Sequence, residues 1–330
     1  ADLLKGGLGN DTYVVDDAGD VVDETPTPDP LRVSTDAAGV QGNGRSTNAQ
    51  ISADGRIVLF DSEASNLVAG DSNGAKDLFV KDLQSGAIQR VSTDAAGAQG
   101  NDYSEDAHFS ADGRYVLFVS LASNLVAGDS NGAEDIFIKD LQSGAIRRVS
   151  TDAAGVQGNS GSLSAQFSAD GHTVVFQSYS TNLVAGDTNG DWDLFVKDLQ
   201  SGAIQRVSTD AAGAQSNGYS DQPRFSADGR YVVFQSYASN LVAGDSNGTG
   251  DVFVKDLQSG AIQRVSTDAA GAQGNSDSGY AQFSADGRTV VFQSLASNLV
   301  AGDSNGASDI FVKDLQSGAI QRVSTDAAGV

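Results

Sequence analysis

From residue 46 to residue 327, short apolar runs and polar punctuation follow one another in a fixed order. A polar segment ending in Phe-Ser leads into the turn Ala-Asp-Gly and an apolar run such as Arg230 to Gln235. A long Asn/Gly/Asp loop, a second run such as Asp251 to Asp256, the turn Gln-Ser-Gly and the run Ala-Ile-Gln-Arg-Val-Ser-Thr follow. Short alternating runs separated by Asp-Gly and Ser-Gly are the signature of strands joined by tight turns, and no stretch carries a helical period. The pattern predicts four antiparallel strands per unit. The string Arg-Val-Ser-Thr-Asp-Ala-Ala-Gly starts at Arg32, Arg90, Arg148, Arg206, Arg264 and Arg322, so the period is 58 residues and the chain holds five near-copies and the start of a sixth.

A period of this size belongs to solenoids and propellers, in which each unit buries its apolar face against the next. All 14 Phe fall on three positions of the unit. They end the first strand (Phe109, Phe167, Phe225 and Phe283, with Ile51 in the first copy) and sit in the second (Phe60, Phe118, Phe176, Phe234, Phe292) and third (Phe79, Phe137, Phe195, Phe253, Phe311). Aromatics locked to the period are expected to form the core between sheets. The expected fold is therefore all-β, a β-propeller of four-stranded antiparallel blades, with five blades and six as the alternative. The segments 31–36 and 322–326 both carry the fourth-strand sequence and compete for one edge. Loop-closure entropy favours the C-terminal copy, with Ala319 to Thr325 as the outer strand of a closed five-bladed ring and residues 31–36 outside it, loose, or paired to a neighbour.

The segments Phe109-Ser-Ala-Asp-Gly-Arg-Tyr-Val-Leu-Phe118 and Asp135-Ile-Phe-Ile-Lys-Asp-Leu-Gln-Ser-Gly144, continuing to Arg148-Val-Ser-Thr, resemble the TolB-like propeller repeat of bacteria. That resemblance implies the propeller fold over residues 46–327. Ala53, Ala111, Ala169, Ala227 and Ala285 stand where the family has Pro, and the loop Asn-Leu-Val-Ala-Gly-Asp-Ser-Asn-Gly is an insertion, so the role of TolB itself does not carry over.

Composition narrows the partners. The 330 residues carry a net charge of -23, which repels phosphate backbones and makes cations the natural counterpart. Without cysteine there is no disulfide, thiolate metal site or Cys nucleophile. The apolar runs are too short to span a bilayer as helices, and the absence of Met even at position 1 reads as a piece of something longer.

Within the inserted loop, Asp71, Asn73 and Asp77 form Asp-x-Asn-Gly-x-x-Asp. The same set recurs as Asp129, Asn131, Asp135; Asp187, Asn189, Asp193; Asp245, Asn247, Asp251; and Asp303, Asn305, Asp309. Alternating side-chain oxygens, a Gly for the sharp turn and a second carboxylate are what a hard oxygen-seeking cation requires. The loop resembles the calcium loops of integrin-type propellers, shortened by one Asp-x step, which implies calcium as cofactor. Asx turns give the same composition without an ion. The opening segment Gly6-Gly-Leu-Gly-Asn-Asp11, running on to Asp16, resembles the haemolysin-type RTX repeat. That resemblance implies calcium binding, export by type I secretion and an extracellular or cell-surface location. The chain divides into an RTX-like segment (1–24), a Pro-rich linker (25–30) and the propeller (31–330).

The match of Gly70-Asp-Ser-Asn-Gly74 to the nucleophile elbow of hydrolases lacks the strand-to-helix context, and His108 and His172 are single variants of repeat positions. No catalysis is expected.

Both tight turns are the same in every copy, whereas the segment entering the first strand and the loop between the second and third strands differ. These lie on one side of a blade. The side carries Tyr103, Tyr179, Trp192, Tyr219, Tyr237 and Tyr280 and reads as a ligand-binding face for a glycan or a protein. The sequence thus points to a secreted calcium-binding propeller, a binding or structural module of a larger RTX-type protein. The alternatives are a lectin-like carbohydrate binder and an accessory or degenerate domain of a secreted hydrolase, and the extra edge strand offers a route to self-association.

Overall fold

The computed structural model describes residues 3–5, 21–23 and 31–325. Strands β1 (Leu3–Lys5) and β2 (Val21–Asp23) pair in parallel. The RTX-like motif between them lies outside the described residues. The first unit folds as β3 (Ser46–Ile51), β4 (Ile57–Ser62), β5 (Asp77–Asp82) and β6 (Ile88–Arg90). The second repeats this as β7 (Ser104–Phe109), β8 (Tyr115–Ser120), β9 (Asp135–Asp140) and β10 (Ile146–Arg148). The third is β11 (Ser162–Phe167), β12 (Thr173–Ser178), β13 (Asp193–Asp198) and β14 (Ile204–Arg206). The fourth is β15 (Ser220–Phe225), β16 (Tyr231–Ser236), β17 (Asp251–Asp256) and β18 (Ile262–Arg264). The fifth is β19 (Ser278–Phe283), β20 (Thr289–Ser294), β21 (Asp309–Asp314) and β22 (Ile320–Arg322). Each unit is one antiparallel sheet with its strands in sequence order, as the turn chemistry demands. Gly55 (φ 72°) and Gly86 (φ 74°) supply the left-handed residue of the two tight turns in the first unit.

The Phe pairs of the central strands face each other, Phe60 against Phe79 with ring centroids 5.9 Å apart and Phe118 against Phe137 at 5.7 Å. Successive sheets stack so that the trailing face of one meets the leading face of the next. Leu59, Leu78, Val80 and Val91 of the first unit pack on Ala107, Val116, Phe118, Leu125 and Phe137 of the second. The Phe and Ile that end the first strands are less deeply placed than the sequence predicts. Phe109, Phe167, Phe225 and Phe283 are only half-buried and Ile51 is 58% exposed, because that strand end lies at the rim of the junction.

A second device joins the units. Lys139 on β9 donates to Thr93 O (2.9 Å), Thr93 Oγ1 (2.9 Å) and Asp94 O (2.8 Å) of the preceding unit. Lys81, Lys197, Lys255 and Lys313 grip the equivalent Thr and Asp in the same way. Burial pushes all five ammonium groups below the usual lysine range, and each uses its donors on carbonyl and hydroxyl oxygens, which satisfies it without a counter-ion.

The structure corrects three expectations about the ends. The fourth strand is three residues long, not seven, since the chain turns out of the sheet after the Arg, as in the tight Thr93 N to Val91 O bond. Residues 31–36 do not add a strand. Thr35 bridges Gln41 and receives Lys81, so this segment does at the first sheet what Thr93 and Asp94 do at the second. The two copies therefore do not compete for one edge. Finally, the ring is not closed: among the described residues, packing runs from each sheet to the next and does not join the fifth to the first. Ile310 is 37% exposed and Val323 42%, whereas Leu78 and Val91, their counterparts in the first unit, are fully buried.

Candidate functional site

The inserted loop leads into the third strand, and each of its acids meets groups from elsewhere in the unit. Arg90, at the end of β6, places Nη2 3.0 Å from Asp71 Oδ2 and Nε 3.3 Å from Asp77 Oδ2. Gln99 donates to Asp71 Oδ1 (2.9 Å) and Asp77 Oδ2 (2.8 Å), and Ser92 Oγ to Asp77 Oδ1 (2.6 Å). Asn73 Oδ1 accepts from Ala75 N and its amide donates to Gly100 O. The arrangement recurs with Arg148 on Asp129 and Asp135, Arg206 on Asp187 and Asp193, Arg264 on Asp245 and Asp251, and Arg322 on Asp303 and Asp309. Asn131, Asn189, Asn247 and Asn305 close the same local turn.

Burial pushes the Asp77, Asp135 and Asp251 carboxyls up against the opposing pull of their Ser, Gln and Arg partners. Asp187 is likewise raised by burial. Asp309, on the uncovered fifth sheet, is lowered instead, by the Ser324 hydroxyl.

Calcium requires six to eight oxygens at about 2.3–2.6 Å. In the first four units these loops offer carboxylates already paired with a buried guanidinium and capped by a glutamine amide. Among the described residues no group of three or more acidic or His side chains is placed to hold a metal. As folded, the donor set does not fit the ion, because Arg90 and its counterparts already pair with both carboxylates of each loop.

The side of the blades on which the units differ is built by the loops before the first and third strands, joined across units by bonds such as Ser104 N to Lys76 O. Here Tyr103 Oη donates to Glu134 Oε1 (2.8 Å), and burial together with Glu134 pushes the phenol well above its usual range. Gly161 lies against Glu134 and Trp192, since a Cβ there would come within 3.3 Å of Glu134 Oε2 and 3.5 Å of the Trp192 ring. Tyr179 meets Trp192 edge to face at 5.6 Å. Tyr103, Glu134, Trp192 and Tyr179 thus form one continuous patch across the second and third units. A second patch holds Tyr219 and Tyr237 (6.0 Å), with Tyr219 Oη donating to Asp221 and Gln235 to Tyr237 Oη. Tyr280 is 70% exposed and left-handed (φ 52°), at the bulge of β19. Asn48, Asp106, Ser164 and Gln222 share that conformation in the other units, at a cost of about 1–3 kcal/mol each.

Comparison of the copies without regard to residue class would have added two residues to this face. Glu134 replaces Lys76. Asp61, fully buried, stands where other copies have Val119 or Gln177 and keeps Oδ1 unpartnered while Asn48 donates to Oδ2. His108 contacts Gln50 Nε2 (3.0 Å) and Asp106 Oδ1 (3.3 Å), and His172 lies on the opposite side, in the tight turn before β12.

No protein-family model and no curated protein matches the chain. Among solved structures it is similar to the β-propeller domain of the trilobed protease from Pyrococcus furiosus, which has an open velcro topology. Identity is 10%, coverage 83% of this chain and 70% of that one, and the TM-score 0.50. It is also similar to a prolyl endopeptidase (13% identity, 85% of this chain, TM-score 0.52), of which it spans 36%. A further likeness is to a TolB protein from Agrobacterium tumefaciens (17% identity, 86% of this chain and 81% of that one, TM-score 0.49). At these identities the likeness is one of fold. The five four-stranded sheets are those of a β-propeller.

Proposed function

We propose that this propeller is a binding module, that its ligand surface is the side on which the units differ, and that its ligand is a carbohydrate. The observation that carries this reading is the continuous patch of Tyr103, Glu134, Trp192 and Tyr179, set on a repeating four-stranded frame. Aromatic faces take the apolar face of a sugar ring, while flanking carboxylates and amides accept and donate to its hydroxyls. The reading needs no bound calcium, because the guanidinium groups already hold the loops. A secreted RTX-type parent is part of the proposal only through the Gly6 to Asp16 motif, and detection of the native protein in culture medium tests it. The binding reading is tested with an immobilised oligosaccharide panel. Wild-type protein should retain a subset of glycans, and Trp192→Ala with Tyr179→Ala should lose them at an unchanged melting temperature. Retention that survives this double substitution rejects the face.

A further inference from the structure

On the opposite side, where the tight turns lie, the second and third blades enclose a cleft of about 580 Å3 walled by Tyr115, Ile138, Ile146 and Phe167. That volume lies within the range of about 300–1,000 Å3 common for small-ligand sites. Two residues at its mouth depart from the repeat, and they come from different units. Arg147 on β10 stands where the other copies have Gln89, Gln205, Gln263 and Gln321, and His172 where they have Arg56, Arg114, Arg230 and Arg288. The arginines at the turn position reach across their own blades, as Arg114 does to Asp140 (2.7 Å) and Arg230 to Asp256 (2.6 Å). His172 is shorter, and its backbone alone makes the turn's bonds, to Asp170 and Leu199. That shortening leaves room at the mouth and puts an imidazole beside it.

Arg147 donates through Nη1 to Leu199 O (2.7 Å) and forms no ion pair among the described residues. The neighbouring carboxylates are already held. Asp112 accepts from Ser110 and Arg114 N, Asp170 from Ser168 and His172 N, and Asp140 from Arg114. A guanidinium fork with free donors matches a carboxylate. The surrounding acids and the net charge of -23 exclude a polyanion, and the apolar walls ask for an apolar or aromatic body.

We propose that this cleft binds a small monocarboxylate carried on an apolar or aromatic body, with Arg147 taking the carboxylate and His172 admitting it. The test is calorimetric titration with 3-phenylpropionate, with 3-phenylpropan-1-ol and inorganic phosphate as controls. The acid should bind one to one and the controls at least about tenfold more weakly, which is about 1.4 kcal/mol. Arg147→Gln and His172→Arg restore what the other units carry and so keep the fold, and each should weaken the acid by about tenfold or more. The converse variant, Gln263→Arg with Arg288→His, rebuilds the pair between the fourth and fifth blades, beside Tyr231, Ile262 and Phe283, and should raise the stoichiometry from one to two. Absence of binding at millimolar acid, equal binding of the alcohol, or affinity unchanged by Arg147→Gln overturns the proposal.

Discussion

Arg148 shows how the acidic loops are held in the fold. Its side chain is 7% exposed and lies 3.0 Å from Asp129 and 3.2 Å from Asp135, though Nε and Nη2 make no well-angled hydrogen bond, so the contact is one of charge more than of aligned donors. Removing one partner of a buried ionic group costs about 3–5 kcal/mol, and Arg148→Met should lower stability in urea by that order. Burial raises the folded pKa of Asp135 above the unfolded value of about 3.9. That contribution favours folding below the unfolded pKa and is lost as pH rises through the folded one. Without Arg148, which lowers it, the carboxyl rises further, so the loss in Arg148→Met should shrink between pH 7 and about pH 4. The same variant separates guanidinium from metal. Calcium and EDTA should leave the wild-type melting temperature equal, while calcium should raise that of Arg148→Met, whose carboxylates are freed. A wild-type protein stabilised by calcium would show that the ion displaces the arginine.

At the scale of strands and turns, the period made most of the architecture legible. Turn residues and apolar runs recur at the same phase, and four strands per unit follow from them. Three features escaped. The fourth strand stops at its Arg because the residues after it leave the sheet to receive the next unit's Lys, a partner 46 residues away that spacing does not reveal. The bulges of the first strands depend on backbone register, not on residue type, since Asn, Asp, Ser, Gln and Tyr all occupy them. In the candidate site, the loop acids were legible as a converging set, but Arg90 and Gln99 were not, because their approach depends on how β6 lies against β5. The turns carry their own prediction. The Arg114 hydrogen bond, with the turn's N–H groups, holds the Asp140 carboxyl far below the usual range. A lowered folded pKa stabilises above the unfolded value and is lost as pH falls below about 3.9. Arg114→Ala should therefore move the acid-unfolding midpoint, followed by circular dichroism, to higher pH.

Across the whole molecule, stability is distributed unevenly because the stack has ends. The middle sheets are covered on both faces, whereas the fifth has Ile310 and Val323 in solvent. In an array held by nearest-neighbour contacts, the unit with one missing neighbour opens first. Amide exchange should be faster in β20 and β21 than in β8 and β9 under native conditions, and equal protection of the two pairs would indicate that the fifth sheet is covered in solution.

Each lysine clamp reaches backward along the chain, from a third strand to carbonyls already laid down by the unit before it. During synthesis, every new blade therefore finds its landing place made before its own last strand has emerged. Among the described residues, no junction waits for a distant partner, and none is altered by what comes several units later. Nothing in the packing of the described sheets counts to five. A gene that gains or loses one 58-residue tile lengthens or shortens the row and leaves every remaining seam as it was.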